Sequence, residues 1–119
     1  MKRRFDTRAL GRLKPGQMNK TEAAYAAYLD LLKRAGELLW FEFEAIKLKL
    51  ADNTFLTIDF AVMRADGVIE LHDVKGARAI VTDDAKVKMK VAAEKFPFVF
   101  KLAFPKGTRG SLGWDVEEI

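Results

Sequence analysis

The chain has 119 residues and a net charge of +4, and half of its residues are hydrophobic, which suffices for one hydrophobic core and fits a polyanionic partner. It contains no cysteine and one histidine, which excludes a disulfide framework and argues against a zinc site built from thiolates or imidazoles. Since no apolar run approaches the ~20 residues of a membrane span and the basic N-terminus lacks a signal-peptide core, we expect a cytoplasmic protein without a membrane partner.

Residues 1–18 carry six basic side chains against one acid, Asp6, and show no periodic apolar pattern. They are predicted to form a flexible arm that precedes a single domain at residues 19–119. Such arms either bind nucleic-acid phosphates through charge or serve as solvated tails, and the sequence leaves both roles open. The candidate nucleic-acid contacts of the arm are Arg3, Arg4, Arg8, Arg12 and Lys14.

A first helix is predicted from Lys20 to Ala35, with Gly36 as its C-terminal stop. Asn19 and Glu22 have the spacing of a capping box, in which each side chain accepts a hydrogen bond from the main-chain N–H of the other residue. Glu22 also lies on the helical face that must pack against a sheet, so its carboxylate is expected to point inward. Glu22 therefore has two open roles, as a cap and as part of a functional site, and one geometry can serve both.

The segment from Leu38 to Leu50 alternates bulky apolar residues with charged ones, as in a strand. Its alternation changes phase around Ala45, which predicts a bulge or bend there. Asp52-Asn53 is then expected to turn the chain into the next strand, so that three antiparallel strands form a meander. Glu44 is interpreted mainly as a solvated or ion-paired residue, although the strand could bring it near a site.

A second strand is predicted from Phe55 to Met63. Its even-numbered positions are apolar and are expected to form one continuous face, so that Asp59 projects from the opposite face of a stiff strand. The apolar positions are Leu56, Ile58, Phe60 and Val62.

A third strand is predicted from Val68 to Lys75, with Asp73 and Lys75 side by side on one face at its end. The Asp66-Gly67 pair between the two strands favours a tight hairpin, which makes them antiparallel neighbours. This pairing is expected to bring Asp59 close to Asp73. The main alternative is an exposed hairpin whose charges are merely solvated.

A second helix is predicted from Asp83 to Phe96 and a buried strand from Phe98 to Phe104, separated by Pro97. A crossover helix between two strands implies that the last strand joins the sheet in parallel. The sequence therefore predicts an α/β (α+β) fold in the order αβββαβ, with a mixed sheet flanked by helices. Lys86 and Lys90 lie beside the apolar stripe of the second helix, either in a cleft or in solvent.

The C-terminal segment from Lys106 to Ile119 contains three glycines. We interpret it as a loop that either contacts DNA, with Arg109 as a candidate contact, or is held to the domain by Trp114.

Asp59, Asp73 and Lys75 are the candidate catalytic cluster, whereas His72 faces away from Asp73 and Lys75 by strand parity. Hard divalent cations such as Mg²⁺ prefer oxygen ligands and commonly take one or two protein carboxylates, which leaves positions for water and a substrate phosphate. A neighbouring lysine can orient the attacking water and offset charge that develops on the phosphate. This residue set predicts a metal-dependent phosphodiester hydrolase.

An aspartate followed by a hairpin and then by Asp73-Val74-Lys75 resembles the active-site signature of the PD-(D/E)XK nuclease superfamily, and in particular its small phage-type endonucleases. Ile58 stands where the family name has proline, and the second acid is aspartate where glutamate is commoner. Both variants occur in this divergent superfamily. The predicted αβββαβ order from Asn19 to Phe104 is similar to the restriction-endonuclease-like core of that superfamily.

The resemblance implies an endodeoxyribonuclease in which Asp59, Asp73 and the carbonyl of Val74 hold Mg²⁺ or Mn²⁺ while Lys75 positions the water. It implies that Glu22 completes the coordination directly or through a water, and that Lys86 or Lys90 lends a positive charge to the cleft. Nucleases of this kind often act on branched DNA as dimers, so we expect Holliday-junction resolution, a homodimer and, for a phage protein, the host bacterial cytoplasm. The alternatives are a catalytically inactive DNA-binding module or an accessory protein in phage recombination or packaging.

Overall fold

A computed structural model describes residues 16–78, 81–106 and 113–119 of the protein. The predicted arm falls almost entirely outside these ranges, so its flexibility and its DNA contacts remain predictions. The candidate DNA-binding residues that lie outside the described residues are Arg3, Arg4, Arg8, Arg12, Lys14 and Arg109.

The fold is α+β, with two helices and a mixed five-stranded sheet in the order β1-β4-β5-β6-β7, beside a separate two-stranded sheet of β2 and β3. The elements in chain order are α1 (Lys20–Arg34), β1 (Leu38–Phe43), β2 (Lys47–Ala51), β3 (Thr54–Thr57), β4 (Phe60–Arg64), β5 (Ile69–Val74), α2 (Asp83–Lys95), β6 (Val99–Pro105) and β7 (Trp114–Glu118).

Helix α1 begins and ends where its sequence signals predict. The Asn19 side chain accepts a hydrogen bond from the N–H of Glu22 at 2.8 Å, and the Glu22 carboxylate accepts one from the N–H of Asn19 at 2.9 Å, which completes the capping box. At the other end Gly36 has φ = 84°, and the N–H of Glu37 donates to the carbonyl of Leu32. This six-to-one hydrogen bond across a left-handed glycine is a Schellman motif, which ends the helix.

The predicted strand from Leu38 to Leu50 is two strands, and the expectation of one strand with a bulge or bend is corrected here. Glu44 has φ = 51°, a left-handed conformation that ends β1 and redirects the chain. After this break β2 pairs with β3 and leaves the central sheet. The predicted three-strand meander therefore exists as β1, β4 and β5, with the β2–β3 hairpin inserted between its first two strands.

The predicted strand from Phe55 to Met63 is also broken, at Ile58 and Asp59. The N–H of Ile58 donates to the carbonyl of Ile46 at 3.1 Å, whereas the carbonyl of Asp59 accepts from the N–H of Glu44 at 2.7 Å. Ile58 is therefore bonded to the β2 side of the β1–β2 junction, and Asp59 is bonded to its β1 side.

The break overturns the prediction that the even-numbered positions of this segment form one continuous apolar face. Leu56 and Ile58 pack with the residues that face α2, whereas Phe60 and Val62 pack with those that face α1. Because the chain leaves the inserted hairpin and enters the central sheet at Asp59, the alternation restarts there and the apolar side changes.

The central hairpin has the predicted geometry. Strands β4 and β5 are antiparallel, and Phe60 lies opposite His72. The turn closes through a hydrogen bond from the N–H of Arg64 to the carbonyl of Val68 at 2.9 Å, and Gly67 takes φ = 88°. A left-handed residue at this turn position is what the Asp-Gly pair provides.

The crossover through α2 is also as predicted, since β6 lies parallel to β5. The Thr82 hydroxyl caps α2 by accepting a hydrogen bond from the N–H of Ala85 at 3.1 Å. The loop predicted for the C-terminal segment is corrected in part, because β7 forms an antiparallel edge strand beside β6. Trp114 is the predicted anchor, with its ring centroid 4.8 Å from that of Tyr25.

The central sheet separates two hydrophobic clusters. The cluster under α1 stabilises the helix through Tyr25 and Leu29, and the cluster under α2 does so through Met89 and Ala92. The remaining buried members of the α1 cluster are Leu38, Phe60, Val62, Val74 and Ala103, and those of the α2 cluster are Leu48, Leu50, Ile58, Ala61, Leu71 and Phe100.

Within the described residues, no helix is both long and apolar enough to cross a membrane.

Candidate active site

The two predicted acidic residues meet at one end of the central hairpin. Because Phe60 pairs with His72 in an antiparallel register, Asp59 lies opposite Asp73. The Asp59 carboxylate accepts a hydrogen bond from the N–H of Val74 at 2.8 Å. This hydrogen bond joins the side chain of Asp59 to the end of the neighbouring strand β5.

Lys75 completes the predicted trio. Its ammonium lies 3.0 Å from a carboxylate oxygen of Asp73, and both side chains are mostly buried. The main-chain N–H of Lys75 donates to the carbonyl of Ala103 at 2.9 Å, which attaches the end of β5 to β6. The charged pair is therefore presented from a strand end that is fixed on both sides.

The site holds more negative charge than its surroundings favour. Burial and the nearby charge of Asp73 raise the pKa of Asp59 to about 8, against the opposing hydrogen bond from the N–H of Val74. The charge of Glu22 raises it further. A buried carboxyl group beside a second carboxylate forms a site that a cation can stabilise.

Lys75 is held in its charged form. Burial alone would lower the pKa of its ammonium, but the carboxylates of Asp73, Asp59 and Glu22 together raise it above its ordinary value. Lys75 therefore supplies a fixed positive charge and a hydrogen-bond donor, and it does not serve as a base at neutral pH.

Glu22 satisfies the cap and faces the site at the same time. Its carboxylate accepts the hydrogen bond from Asn19, and its charge raises the pKa of both Asp59 and Lys75. Within the ranges that the structure describes, no three acidic or histidine side chains are assembled as a metal-binding group. Glu22 therefore acts on Asp59 and Lys75 through its charge, and it does not form a three-carboxylate cage with Asp59 and Asp73.

The donor chemistry of the trio fits a hard divalent cation. Asp59 and Asp73 supply two carboxylates, which is the number that Mg²⁺ commonly takes from a protein. The Val74 carbonyl belongs to the same strand end, between Asp73 and Lys75. These oxygen donors suit Mg²⁺ or Mn²⁺ and do not suit a soft metal.

Lys86 and Lys90 belong to the same side of the sheet as Asp73. Both line a cavity of about 260 Å³ together with Asp73 and the apolar side chains of α2 and β6. The structure therefore brings two of the predicted DNA-binding residues to the candidate site.

Glu44 is linked to Asp59 through its main chain, since its N–H donates to the carbonyl of Asp59. Its carboxylate accepts a hydrogen bond from the N–H of Gly16 at 3.1 Å.

A second polar group, which the sequence reasoning missed, lies on the opposite face of β5. The Tyr25 hydroxyl is 2.6 Å from Nδ1 of His72, and Nε2 of His72 is 2.8 Å from the Glu70 carboxylate. Lys101 lies 3.0 Å from the same carboxylate, and Arg64 lies 3.4 Å from it. This buried group connects α1, β5 and β6 behind the candidate active site.

The sequence did contain a signal for this second group. Glu70 and His72 alternate with apolar residues on a strand that is buried on both faces, and buried ionisable side chains must be paired. Burial would raise the pKa of Glu70, but hydrogen bonds from His72 and Lys101 outweigh it and lower that pKa to about 2. Glu70 is therefore charged at neutral pH and stabilises its neighbours electrostatically.

No family model matches the chain, and neither a curated protein nor a solved structure is detectably similar to it. Its function is therefore inferred from the geometry and chemistry of the residues described above.

Proposed function

We propose that this protein is a metal-dependent endodeoxyribonuclease of the PD-(D/E)XK type. The observation that carries the proposal is the position of Asp59 opposite Asp73 at the end of the central hairpin, with Lys75 paired to Asp73 at 3.0 Å. Two strands thus deliver two carboxylates and one ammonium to one point. This combination suits the hydrolysis of a phosphodiester.

The order of the helices and strands around this site supports the same proposal. Helix α1 precedes three antiparallel strands of the central sheet, and α2 then leads to a strand parallel to β5. Apart from the inserted hairpin and the added edge strand β7, this is the αβββαβ order of a restriction-endonuclease-like core. The proposal assigns the protein to that fold.

In the proposed mechanism, Asp59, Asp73 and the carbonyl of Val74 would hold Mg²⁺ or Mn²⁺. The bound ion would supply Lewis-acid activation of the phosphodiester and of water. Lys75 orients the attacking water and offsets the negative charge that develops on the phosphate, because its ammonium is already held near Asp73. Glu22 assists from outside the two-carboxylate pair, through a bound water.

The expected substrate is DNA, bound mainly through its phosphates. Lys86 and Lys90 extend the positive charge of the site, and the basic residues of the arm would add to it. By resemblance to small phage endonucleases, we propose branched DNA such as a Holliday junction as the substrate and a homodimer as the active form. Such an enzyme would work in the cytoplasm, which is that of the bacterial host for a phage protein.

The test is a cleavage assay on end-labelled duplex, single strand, flap, three-way junction and four-way junction. Each DNA is incubated with the parent protein in Mg²⁺, Mn²⁺ or chelator, and with Asp73→Asn as the matched variant. Metal-dependent cleavage by the parent alone is the expected result. Binding of these DNAs without cleavage in any metal would contradict the nuclease and indicate a DNA-binding module.

A further inference from the structure

The cavity beside Asp73 is more apolar than phosphate binding requires. It has a volume of about 260 Å³ and opens between α2 and β6. Its described walls are largely aliphatic, and this side of the sheet is otherwise filled by the α2 cluster. The apolar side chains that line the cavity are Val81, Ala85, Met89, Leu102 and Ile119.

Positive charge lies at the same cavity. Lys86 and Lys90 are exposed and are one helical turn apart on α2, which places their Cβ atoms ~5–6 Å from each other. Asp73, the proposed metal ligand, also lines the cavity. An occupant would therefore meet an apolar surface, two ammonium groups and the candidate metal site within one small volume.

A nucleotide unit has the matching chemistry. Its base is flat and largely apolar on both faces, and its phosphates are anions held at a fixed covalent distance from that base. The cavity lies below the range of ~300–1,000 Å³ that is usual for drug-sized ligands, which suits one base and not a larger molecule. A purely apolar ligand would leave the two ammonium groups without a role.

We propose that this cavity holds one unstacked nucleobase of the DNA strand whose phosphate lies at Asp59 and Asp73, with Lys86 and Lys90 on the adjoining phosphates. The proposal rests on the proposed nuclease function and specifies its substrate. Removing a base from a duplex costs a few kcal/mol, and the cost is least where the base is already unpaired. The cavity therefore selects DNA that has an unpaired base next to the cleaved bond, as at a branch point, a flap or a bulge.

The pocket can be detected without any cleavage. A DNA with a single bulged 2-aminopurine is mixed with the parent protein in Ca²⁺, and its fluorescence and its affinity are measured. We expect a several-fold rise in fluorescence, because a base that leaves its stacked neighbours for aliphatic walls loses its quenching partners. Replacing the bulged base by an abasic nucleotide is expected to weaken binding on the order of tenfold.

Ala85→Phe is the blocking variant, because Ala85 lines the cavity and a phenyl ring there would fill it. Val87→Phe is its control, since Val87 is 59% exposed on the same helix and is not among the residues that line the cavity. The fluorescence rise is expected with the parent and with Val87→Phe but not with Ala85→Phe. Circular dichroism of both variants checks that they fold, and the abasic comparison requires no variant at all.

The outcomes separate this proposal from the proposed nuclease. DNA that binds the parent without a fluorescence rise and without a preference for the base overturns the pocket, whether or not Mg²⁺ then supports cleavage. An equal rise with Ala85→Phe also overturns it, because the base would then lie elsewhere. A rise that Ala85→Phe abolishes, in a protein that cuts no DNA, would keep the pocket and overturn the nuclease. Failure of the DNA to bind at all overturns both.

Discussion

The Asp59 carboxylate accepts a hydrogen bond from the main-chain N–H of Val74 at 2.8 Å, across two strands of the central hairpin. This contact fixes a charged side chain beside Asp73 although burial and that second charge both disfavour its ionisation. The site is therefore strained electrostatically in the absence of a cation. Such an arrangement lowers the stability of the folded protein, a cost that is common where a site is selected for function.

Replacing Asp59 by asparagine is expected to stabilise the metal-free protein at alkaline pH. The folded-state pKa of Asp59 is about 8, above its ordinary value of 3.8, so its contribution to stability is complete below about pH 4 and is lost as the pH rises through 8. Asparagine keeps an acceptor for the N–H of Val74 but carries no charge. At pH 8 in chelator, Asp59→Asn should unfold with a free energy higher by on the order of 2 kcal/mol.

Urea unfolding of both proteins between pH 5 and 9 measures this difference. Mg²⁺ should raise the stability of the parent at pH 8 and have little effect on Asp59→Asn, because the ion requires the ionised carboxylates. Parallel pH dependence in the two proteins would contradict the assigned environment of Asp59.

The two roles of Glu22 can be separated by substitution. Glutamine can still accept the hydrogen bond from the N–H of Asn19, so Glu22→Gln should keep the capping box and the melting temperature. It removes the charge that reaches Asp59 and Lys75, and we expect a loss of cleavage on the order of tenfold. Glu22→Ala should lose the cap as well, at about 1 kcal/mol of stability.

Single-turnover cleavage and thermal unfolding of the two Glu22 variants provide the readout. If Glu22→Gln cleaves as fast as the parent while Glu22→Ala is destabilised, Glu22 is a cap alone.

The buried group around Glu70 predicts a specific sensitivity to acid. Because hydrogen bonds from His72 and Lys101 outweigh burial and hold the folded-state pKa of Glu70 at about 2, below its ordinary 4.5, its stabilisation is complete above about pH 4.5 and is lost as the pH falls towards 2. Glu70→Gln should lower the free energy of unfolding at pH 7 by roughly 2 kcal/mol. The difference should shrink as the pH approaches 2.

Urea unfolding at pH 7, 5, 3.5 and 2.5 tests the Glu70 prediction, with Glu94→Gln on the exposed face of α2 as the control. A difference between Glu70→Gln and the parent that stays constant across this range would show that the charge of Glu70 is not the cause.

Short-range signals were enough to predict the central hairpin and both helices. The period-two pattern of β5 and the Asp66-Gly67 turn predicted how the two strands of the hairpin pair. This pairing brings Asp59 opposite Asp73. The capping box at Asn19 fixed the start of α1. These features depend on neighbours within a few residues, so a sequence pattern contains them.

The features that were missed depend on contacts between distant parts of the chain. The inserted hairpin follows from breaks at Glu44 and Asp59, where a left-handed backbone and a change of hydrogen-bonding partner interrupt strands that look continuous in sequence. The edge strand β7 is short and highly charged, and it forms because β6 offers an open edge. The contact between Tyr25 and His72 joins residues 47 positions apart.

Single-turnover cleavage of a labelled four-way junction in Mg²⁺, by the parent and by Lys75→Ala, tests the central claim most directly. Lys33→Ala is the control, because Lys33 is an exposed lysine in the last turn of α1. We predict that Lys75→Ala folds and binds the junction but cleaves it at least ~100-fold more slowly, since the fixed charge beside Asp73 is lost. Equal rates for the parent and Lys75→Ala would contradict it, as would the absence of Mg²⁺-dependent cleavage by the parent.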